Sequence, residues 1–283
     1  MWQPGISAPV VIEPSGSPTL PPSRGSGTGA RVATIVVGLA ASLFLLFIVA
    51  PVFGLVGAGG ARGLVSIFRD QELRASLLLT LLTATAATLL GAIGGTPLAY
   101  LLARRQFRGR ALLAAALDLP LVIPHPVAGI ALLLVLGRAT PIGSALYAVG
   151  LRVAGSATGI VCAMLFVSAP LYVSAAREAF ARVDARYEAV ARTLGDSAWS
   201  AFRRVTLPLS KRGLVAAGVV MWARAVSEFG AIVVLTYNPR VASVVAYDRF
   251  VSYGLPEALP VAAALVLLAI IPLVALRALR ADR

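Results

Sequence analysis

The sequence predicts an all-α integral membrane protein with six transmembrane helices and a helical hairpin in a cytoplasmic loop. Hydrophobic residues make up 59% of the chain and charged residues only 13%, a composition far from that of soluble globular domains. Several apolar runs exceed the roughly 20 residues that a helix needs to cross a bilayer. A polar stretch of helix-forming residues, 187–208, separates two of these runs and predicts the hairpin.

Six apolar runs define the predicted spans, at 31–57, 75–102, 112–137, 157–181, 213–237 and 256–279. With both termini in the cytoplasm, 17 of the 25 basic residues lie inside, seven lie outside and Arg224 lies within a span. This bias follows the positive-inside rule. Membrane topology therefore explains the net charge of +13 without a nucleic-acid partner, and predicts a multi-pass protein of the cell membrane.

Residues 1–30 form a segment of different composition, with six Pro, five Gly and five Ser and no apolar run. Such a composition predicts a disordered cytoplasmic tail. The first span is too long for a signal-peptide core, so we expect it to be retained. The remaining residues, 31–283, are predicted to be one six-span domain. The single cysteine, Cys162, excludes an intrachain disulfide.

The cytoplasmic loop at about 182–212, here called the coupling loop, has the pattern of two short helices. Apolar residues recur at helical spacing in each half: Tyr187, Val190, Ala191 and Leu194, then Trp199, Phe202 and Val205. Gly195 is expected to stop the first helix, Asp196 or Ser197 to cap the second, and Pro208 to end it. A surface hairpin packed against the bundle is the alternative to a docking surface for a soluble partner.

The loop resembles the signature of ABC-importer permeases, in which Glu-Ala-Ala is followed after three residues by Gly and nine residues later by Ile-x-Leu-Pro. Gly195, Leu207 and Pro208 fall in that register, whereas Ala189 stands at the usual Glu position, with Glu188 one residue early. The resemblance implies coupling to a separate ATP-binding subunit. The positions that it assigns to coupling are Glu188, Ala189, Ala191, Arg192, Gly195, Asp196, Leu207 and Pro208.

The third span contains prolines at 120, 124 and 126, which predict a kink or break because proline removes a backbone donor and clashes with the preceding turn. Broken membrane helices are tolerated where the freed backbone faces protein or a water-lined cavity. A pathway role is therefore predicted for Asp118, Pro120, Pro124 and His125, and a purely structural kink is the alternative. His125 is interpreted as a packing histidine in preference to a proton relay, since no acidic partner lies nearby in sequence.

The fifth span carries opposite charges at Arg224 and Glu228, which share a helix face at i,i+4 spacing. Arg224 lies about 16 Å from residue 213 at about 1.5 Å per residue, close to the bilayer centre. Because a charge there costs roughly 2.5–3.5 kcal/mol, both side chains are expected to face the protein interior. We assign Arg224, Ser227 and Glu228 to the translocation pathway. The alternative is a structural ion pair, within the helix or across a dimer interface.

The chain lacks the sequence features of an ATPase. Lys211 is its only lysine, and no Gly-rich run precedes it, so there is no P-loop. One histidine, one cysteine and scattered hydroxyls also provide no catalytic or metal-binding pattern. We therefore expect a translocation subunit with no catalytic residues, metal or cofactor of its own.

The third and fifth spans together resemble the permeases of tetrahedral-oxyanion ABC importers, which carry molybdate, tungstate or sulfate. The matching motifs are Asp-Leu-Pro-x-x-Ile-Pro from residue 118 and Ser-Glu-Phe-Gly-Ala from residue 227, and residues 227–255 are most similar to the tungstate/molybdate branch. The resemblance, over about 70–280, implies a type I permease fold, a homodimer, two subunits that bind ATP and Mg, and an extracytoplasmic oxyanion-binding protein. Alternatives are a sulfate or thiosulfate permease, a secondary anion transporter or channel, and a membrane-embedded enzyme.

Overall fold

The computed structural model describes residues 28–281, and all secondary-structure elements in that range are helices. Helix α1 spans Thr28–Arg69, α2 Gln71–Arg104, α3 Arg110–Val122, α4 His125–Leu136, α5 Pro141–Ala148 and α6 Ala157–Ala181. Helix α7 spans Ala185–Thr193, α8 Ala198–Ala201, α9 Leu207–Val226, α10 Gly230–Leu235, α11 Ala242–Tyr253 and α12 Leu255–Ala281. A π-helical segment, Phe202–Thr206, joins α8 to α9.

The chain divides into two compact units, residues 1–51 and 52–283. The described part of the first unit is the beginning of α1, whose apolar side chains are exposed around the whole helix. An apolar surface on all sides of a helix is typical of a membrane span. Residues 1–27 lie outside the described range, so the tail predicted at 1–30 stays a prediction.

The core of the second unit forms where α6 packs against α2 and α9. Buried residues of α2 recur every three or four positions and are mostly small, among them Ala84, Ala87 and Ala99. Small side chains let helix backbones approach closely, which is how membrane helices gain packing energy. Buried hydroxyls on the same helix bond to its own backbone, as Thr80 Oγ1 does to the Ser76 carbonyl at 2.7 Å.

The third predicted span is broken, as its prolines predicted. Helices α3 and α4 meet at an angle of 115°, with the break at Ile123 and Pro124. Ile123 is extended because a residue that precedes proline avoids helical angles. Pro120, by contrast, lies buried inside α3 without ending it, and Pro126 lies in the first turn of α4, where no N–H is needed.

The described helices do not confirm the predicted count of six spans. Four described helical stretches are long and apolar enough to cross a membrane, namely Arg31–Gly60, Gln71–Arg104, Ala157–Ala181 and Leu255–Ala278, and the bent pair α3–α4 would make five. The predicted fifth span is divided between α9 and the six-residue α10. Helix α9 falls short of a span by composition because its 20 residues include Lys211, Arg212 and Arg224.

An ion-pair network joins the start of α2 to α11 and to the loop before α11. Arg249 contacts Asp70 at 2.5 Å and Glu72 at 3.1 Å, and Arg240 contacts Glu72 at 2.5 Å. Burial acts to raise the pKa of Asp70, but the Leu73 N–H and the Arg249 guanidinium outweigh it and leave this pKa below its usual value. Asp70 is therefore charged at neutral pH and holds α11 to the start of α2.

Candidate functional site

The first half of the coupling loop forms the helix and turn that its sequence predicts. Asp184 caps α7 by accepting the Arg186 N–H at 2.9 Å. At the other end Gly195 has a positive φ of 100°, and its N–H bonds to the Arg192 carbonyl at 3.1 Å. The Asp196 N–H bonds to the Ala191 carbonyl, also at 3.1 Å. These two bonds form a Schellman motif, so the turn depends on a residue that tolerates a left-handed backbone.

The second half of the loop departs from the prediction at Pro208. Ser197 caps α8 by accepting the Ser200 N–H at 3.1 Å, as one of the two predicted caps. The helix does not end at Pro208, however, because it continues through the π-helical segment into α9. The Leu207 N–H bonds to the carbonyl of Phe202, five residues earlier, so the backbone widens before the proline that cannot donate.

The coupling loop presents a large apolar surface although its helices lie outside the apolar spans. Tyr187, Val190 and Trp199 are exposed, and the side chain of Leu194 at the turn is 83% exposed. The apolar face predicted on α7 is thus present, but its side chains are exposed and point away from the protein. Exposed apolar side chains that cluster on a polar element mark an interaction site.

A groove between α7 and α8 adjoins this apolar surface. It is lined by Ala189, Arg192, Thr193, Asp196, Ser197 and Ala198. Asp196 is held in the groove because it accepts the Ser200 hydroxyl at 2.6 Å and pairs with Arg204 at 3.4 Å. The groove and the apolar surface together bring Ala189, Arg192, Gly195 and Asp196 to one end of the hairpin, whereas Leu207 and Pro208 lie in the first turn of α9.

Glu188 points the opposite way, into the protein. Its carboxylate accepts the Tyr100 hydroxyl at 2.8 Å and the Thr206 hydroxyl, and it lies 3.3 Å from Arg104 Nε. Only 16% of the Glu188 side chain and 12% of the Arg104 side chain are exposed. The Arg104 Nε lies within ion-pair distance but is not aligned for a hydrogen bond. Glu188 therefore fastens α7 to the C-terminal end of α2 and to the π-helical segment.

A second site lies where α4, α9 and α10 meet, and we call its polar side chains, His125, Arg224, Ser227 and Glu228, the charged cluster. Arg224 Nη2 lies 2.9 Å from Glu228 Oε2, which confirms the predicted i,i+4 pair. The same carboxylate oxygen lies 3.0 Å from His125 Nδ1, and Arg224 Nη2 lies 2.8 Å from His125 Nε2. Arg224 Nη1 donates to Ser227 Oγ at 3.2 Å.

The backbone around Glu228 explains how a carboxylate is accommodated in the protein interior. Helix α9 ends at Val226 and α10 begins at Gly230, so Glu228 lies in a short non-helical link. Its Oε1 accepts the Ala231 N–H at 2.9 Å, and its own carbonyl accepts the Ser243 hydroxyl at 2.9 Å. The side chain is only 1% exposed. A buried charge with a cation and a backbone donor avoids most of the penalty of burial.

The structure changes the interpretation of His125. Sequence reasoning gave it no acidic partner, but Glu228 of the fifth predicted span provides one. Asp118, Pro120 and Pro124 are not part of the charged cluster. Asp118 is exposed on α3 and makes no hydrogen bond or ion pair with any residue in the described range, while Pro120 is buried within α3 and Pro124 lies at the break.

Sequence reasoning also missed the partners of the predicted residues. Tyr100, Arg104 and Thr206 hold Glu188, and Ser243 holds the Glu228 backbone. Their signal in the sequence is weak, because Tyr100 and Arg104 lie more than 80 positions before Glu188.

Comparison with protein families finds a match over most of this chain. A family model described as binding-protein-dependent transport system inner membrane component matches residues 95–280. The molybdate/tungstate transport system permease protein WtpB of Thermococcus kodakarensis is 45% identical over 118 residues, which are 42% of this chain and 48% of that protein. WtpB of Pyrococcus furiosus is 43% identical over 119 residues, with the same shares of the two chains. The molybdenum transport system permease protein ModB of Escherichia coli is 40% identical over 89 residues, 31% of this chain and 39% of that protein.

The chain thus matches about half of the length of these curated relatives. Among solved structures, a bacterial ABC transporter involved in the import of the acidic polysaccharide alginate contains a similar chain, with a TM-score of 0.66. The match covers 89% of this chain and 96% of that one at 18% identity. At that identity the likeness shows a common fold and nothing about the substrate.

Proposed function

The chain belongs to the binding-protein-dependent transport system inner membrane components, because the family match covers more than half of the residues of the chain. We propose that the chain is the permease subunit of an ATP-driven importer of molybdate or tungstate. In this proposal six crossings are made by α1, α2, the α3–α4 pair, α6, the α9–α10 pair and α12. Two copies would form the pathway. Two ATP-binding subunits, which bind ATP and Mg, and an extracytoplasmic oxyanion-binding protein would complete the importer.

The observation that carries the proposal is the exposed apolar surface of the coupling loop. Leu194 and Trp199 lie close in sequence to charged residues such as Arg192 and Arg204, which disfavour placing this part of the chain in the bilayer core. A soluble partner with a complementary cleft would bury both side chains. Because Glu188 fastens the loop to α2, movement of that partner would be transmitted to a helix of the core.

The substrate class is supported by two observations on this chain. Its relatives with about 40–45% identity bear the names of molybdate and tungstate permeases. The charged cluster also offers a guanidinium and a hydroxyl in a broken helical region, the groups that bind oxyanions. An inside-negative potential opposes the entry of a dianion by about 4.6 kcal/mol per 100 mV, twice the cost for one charge, so uptake requires coupling to ATP.

The proposal is tested by deleting the gene and measuring uptake of molybdate, tungstate and sulfate by elemental analysis of washed cells. We expect molybdate and tungstate uptake to fall and to return with the wild-type gene, and a tagged chain to copurify with an ATP-binding subunit. Sulfate uptake that falls instead would favour the sulfate alternative. A chain that restores uptake without any copurifying ATP-binding subunit would contradict the proposal and favour a secondary transporter or channel.

We predict that Gly195→Val uncouples the loop from its partner. A β-branched residue at φ of 100° is strained, although no atom lies within 4 Å of the position its Cβ would take, so the effect acts through the backbone alone. Pull-down of the ATP-binding subunit and substrate-stimulated ATP hydrolysis should both fall. Gly195→Asn is the matched control, because Asn tolerates left-handed angles, and it should retain both activities. If Gly195→Val keeps pull-down and stimulated ATP hydrolysis at the level of Gly195→Asn and wild type, the turn is not required for docking.

We also predict that both termini are cytoplasmic. In a Cys162→Ala background, cysteines introduced at Arg108 and Lys211 should be shielded from impermeant thiol reagents in intact cells, and should react after the cells are opened. Cysteines at Arg62, Arg152 and Arg240 should react from outside. Labelling of position 108 in intact cells would place the coupling loop outside, where no ATP-binding subunit could reach it.

A further inference from the structure

We propose that the charged cluster is itself a binding site for the transported oxyanion, in which Arg224 leaves Glu228 to bind the anion while His125 stays with the carboxylate. The inference rests on the proposed function and adds a ligand and a mechanism of exchange to one of its pathway sites. The ligand is a tetrahedral dianion such as tungstate.

The exposure of the four side chains gives the cluster an open side and a closed side. Ser227 is exposed, and 41% of the His125 side chain and 22% of the Arg224 side chain are accessible, whereas Glu228 is only 1% exposed. An arriving anion would therefore meet the hydroxyl, the imidazole and the guanidinium before the carboxylate. The carboxylate, which would repel it, lies behind them.

The contacts of Glu228 leave its carboxylate with two other hydrogen-bond donors when Arg224 moves away. Glu228 Oε1 bonds to the Ala231 N–H at 2.9 Å, and Oε2 contacts both Arg224 at 2.9 Å and His125 at 3.0 Å. Removal of the sole partner of a buried carboxylate would be strongly unfavourable. Here two donors remain, so the carboxylate stays satisfied when the guanidinium turns away.

The position of His125 between the two charged groups fits this role. Arg224 Nη2 lies 2.8 Å from Nε2 and 2.9 Å from Nδ1 of the ring, and Nδ1 also lies 3.0 Å from Glu228 Oε2. In the tautomer with its proton on Nδ1, the ring donates to Glu228 and leaves Nε2 to accept from the guanidinium. His125 then keeps its bond to Glu228 when the bond to Arg224 breaks.

Arg224 and Ser227 provide suitable ligands for the anion. A guanidinium presents five N–H donors in a planar fork that matches two oxygens of an oxyanion. Ser227 Oγ, which accepts from Arg224 Nη1 at 3.2 Å, donates to the Arg224 carbonyl at 2.9 Å and can redirect that proton. The two side chains lie three positions apart at the end of α9, so both can contact one bound ion.

Gly230 fixes the position of His125 in the cluster. A Cβ at residue 230 would lie 2.7 Å from the His125 Cβ and 3.1 Å from Pro126 Cδ, so any side chain there would push the start of α4 away from α10. Gly230→Ala is therefore a variant that displaces His125 without removing a charge.

The test is equilibrium dialysis of the purified complex of permease and ATP-binding subunits in lipid nanodiscs, without the binding protein, against sodium tungstate, with bound tungsten measured by elemental analysis. Wild type should bind tungstate saturably and release it to excess molybdate but not to chloride. Arg224→Met should weaken binding at least about tenfold, as loss of a charged hydrogen-bond partner does. Arg138→Met is the matched control, since it removes a surface guanidinium that stacks on Tyr147, and it should bind as wild type does.

Two further variants separate this exchange from a purely structural pair. Glu228→Gln should tighten tungstate binding, because it frees Arg224 from a competing anion while the amide oxygen still accepts the Ala231 N–H. His125→Ala and Gly230→Ala should weaken binding, because Arg224 is then needed by Glu228. The inference is overturned if wild type binds no tungstate saturably, or if Glu228→Gln weakens binding as Arg224→Met does. Tungstate uptake by wild-type cells with no binding to the purified complex would overturn this inference alone, whereas absence of uptake would overturn the proposed function.

Discussion

Replacing Glu188 with leucine is expected to release the coupling loop from the core and to abolish substrate-stimulated ATP hydrolysis. The change leaves Arg104 without its only carboxylate contact among the described residues and removes the acceptor of the Tyr100 hydroxyl. Removing one partner of a buried ion pair costs about 3–5 kcal/mol. Since each 1.4 kcal/mol corresponds to about a tenfold change, opening of the loop should become more than about a hundredfold more frequent.

Hydrogen exchange measures this opening directly. Amides of α7 and of the π-helical segment, residues 185–206, should exchange much faster in Glu188→Leu, while those of α6 should not change. Glu178→Leu is the matched control, because Glu178 is exposed near the C-terminal end of α6. Glu188→Gln should lie between them, since an amide still accepts the Tyr100 hydroxyl. If Glu188→Leu exchanges as Glu178→Leu does, Glu188 does not fasten the loop.

The local structure of the coupling loop was predictable because local rules determine it. The spacing of Tyr187, Val190 and Leu194 predicts one helix, Gly195 predicts its end and Ser197 caps the next. The inward role of Glu188 was not predictable in this way. Its partners Tyr100 and Arg104 belong to another helix, and only packing in three dimensions brings them to the loop.

Pro208 shows why a local rule can also be wrong. A proline inside a helical pattern removes a donor, which predicts the end of a helix. The chain resolves the loss differently, since the π-helical segment shifts the Leu207 bond to Phe202 and α9 continues. Tertiary packing pays the cost of the irregular turn, with Thr206 buried against Glu188, and that packing is not visible in the sequence.

The contacts of the charged cluster also include one that local sequence spacing predicts and one that depends on tertiary packing. Arg224 and Glu228 lie four residues apart, so helical spacing predicted their pair, although Glu228 itself lies just past the end of α9. The contact with His125 spans 99 positions and depends on the close approach of α4 to α10. The count of six spans rested on apolar runs alone, and it did not allow for the charges in α9, whereas the prolines did predict the break that appears as the 115° bend after α3.

Arg224→Met is expected to leave the complex assembled while lowering oxyanion uptake at least about tenfold, in keeping with the roughly 1.5–3 kcal/mol of a charged hydrogen bond. Assembly should survive because Glu228 keeps His125 at 3.0 Å and the Ala231 N–H at 2.9 Å. Complex yield and uptake are measured side by side for each variant, so a loss of protein is distinguished from a loss of transport.

The double variant Arg224→Met with Glu228→Gln distinguishes a role of this pair in the translocation pathway from a purely structural role. If the pair only supports the fold, Arg224→Met alone loses assembled protein, and removing both charges restores yield and uptake together. If Arg224 serves the pathway, Glu228→Gln cannot replace the missing positive charge, and uptake stays low in a complex of normal yield. Arg224→Met with His125→Ala should behave differently again: it leaves the Glu228 side chain, which is 1% exposed, with only a backbone donor, so this variant should lose yield. Recovery of both quantities in the first double variant would therefore remove Arg224 and Glu228 from the pathway, whatever the yield of the second.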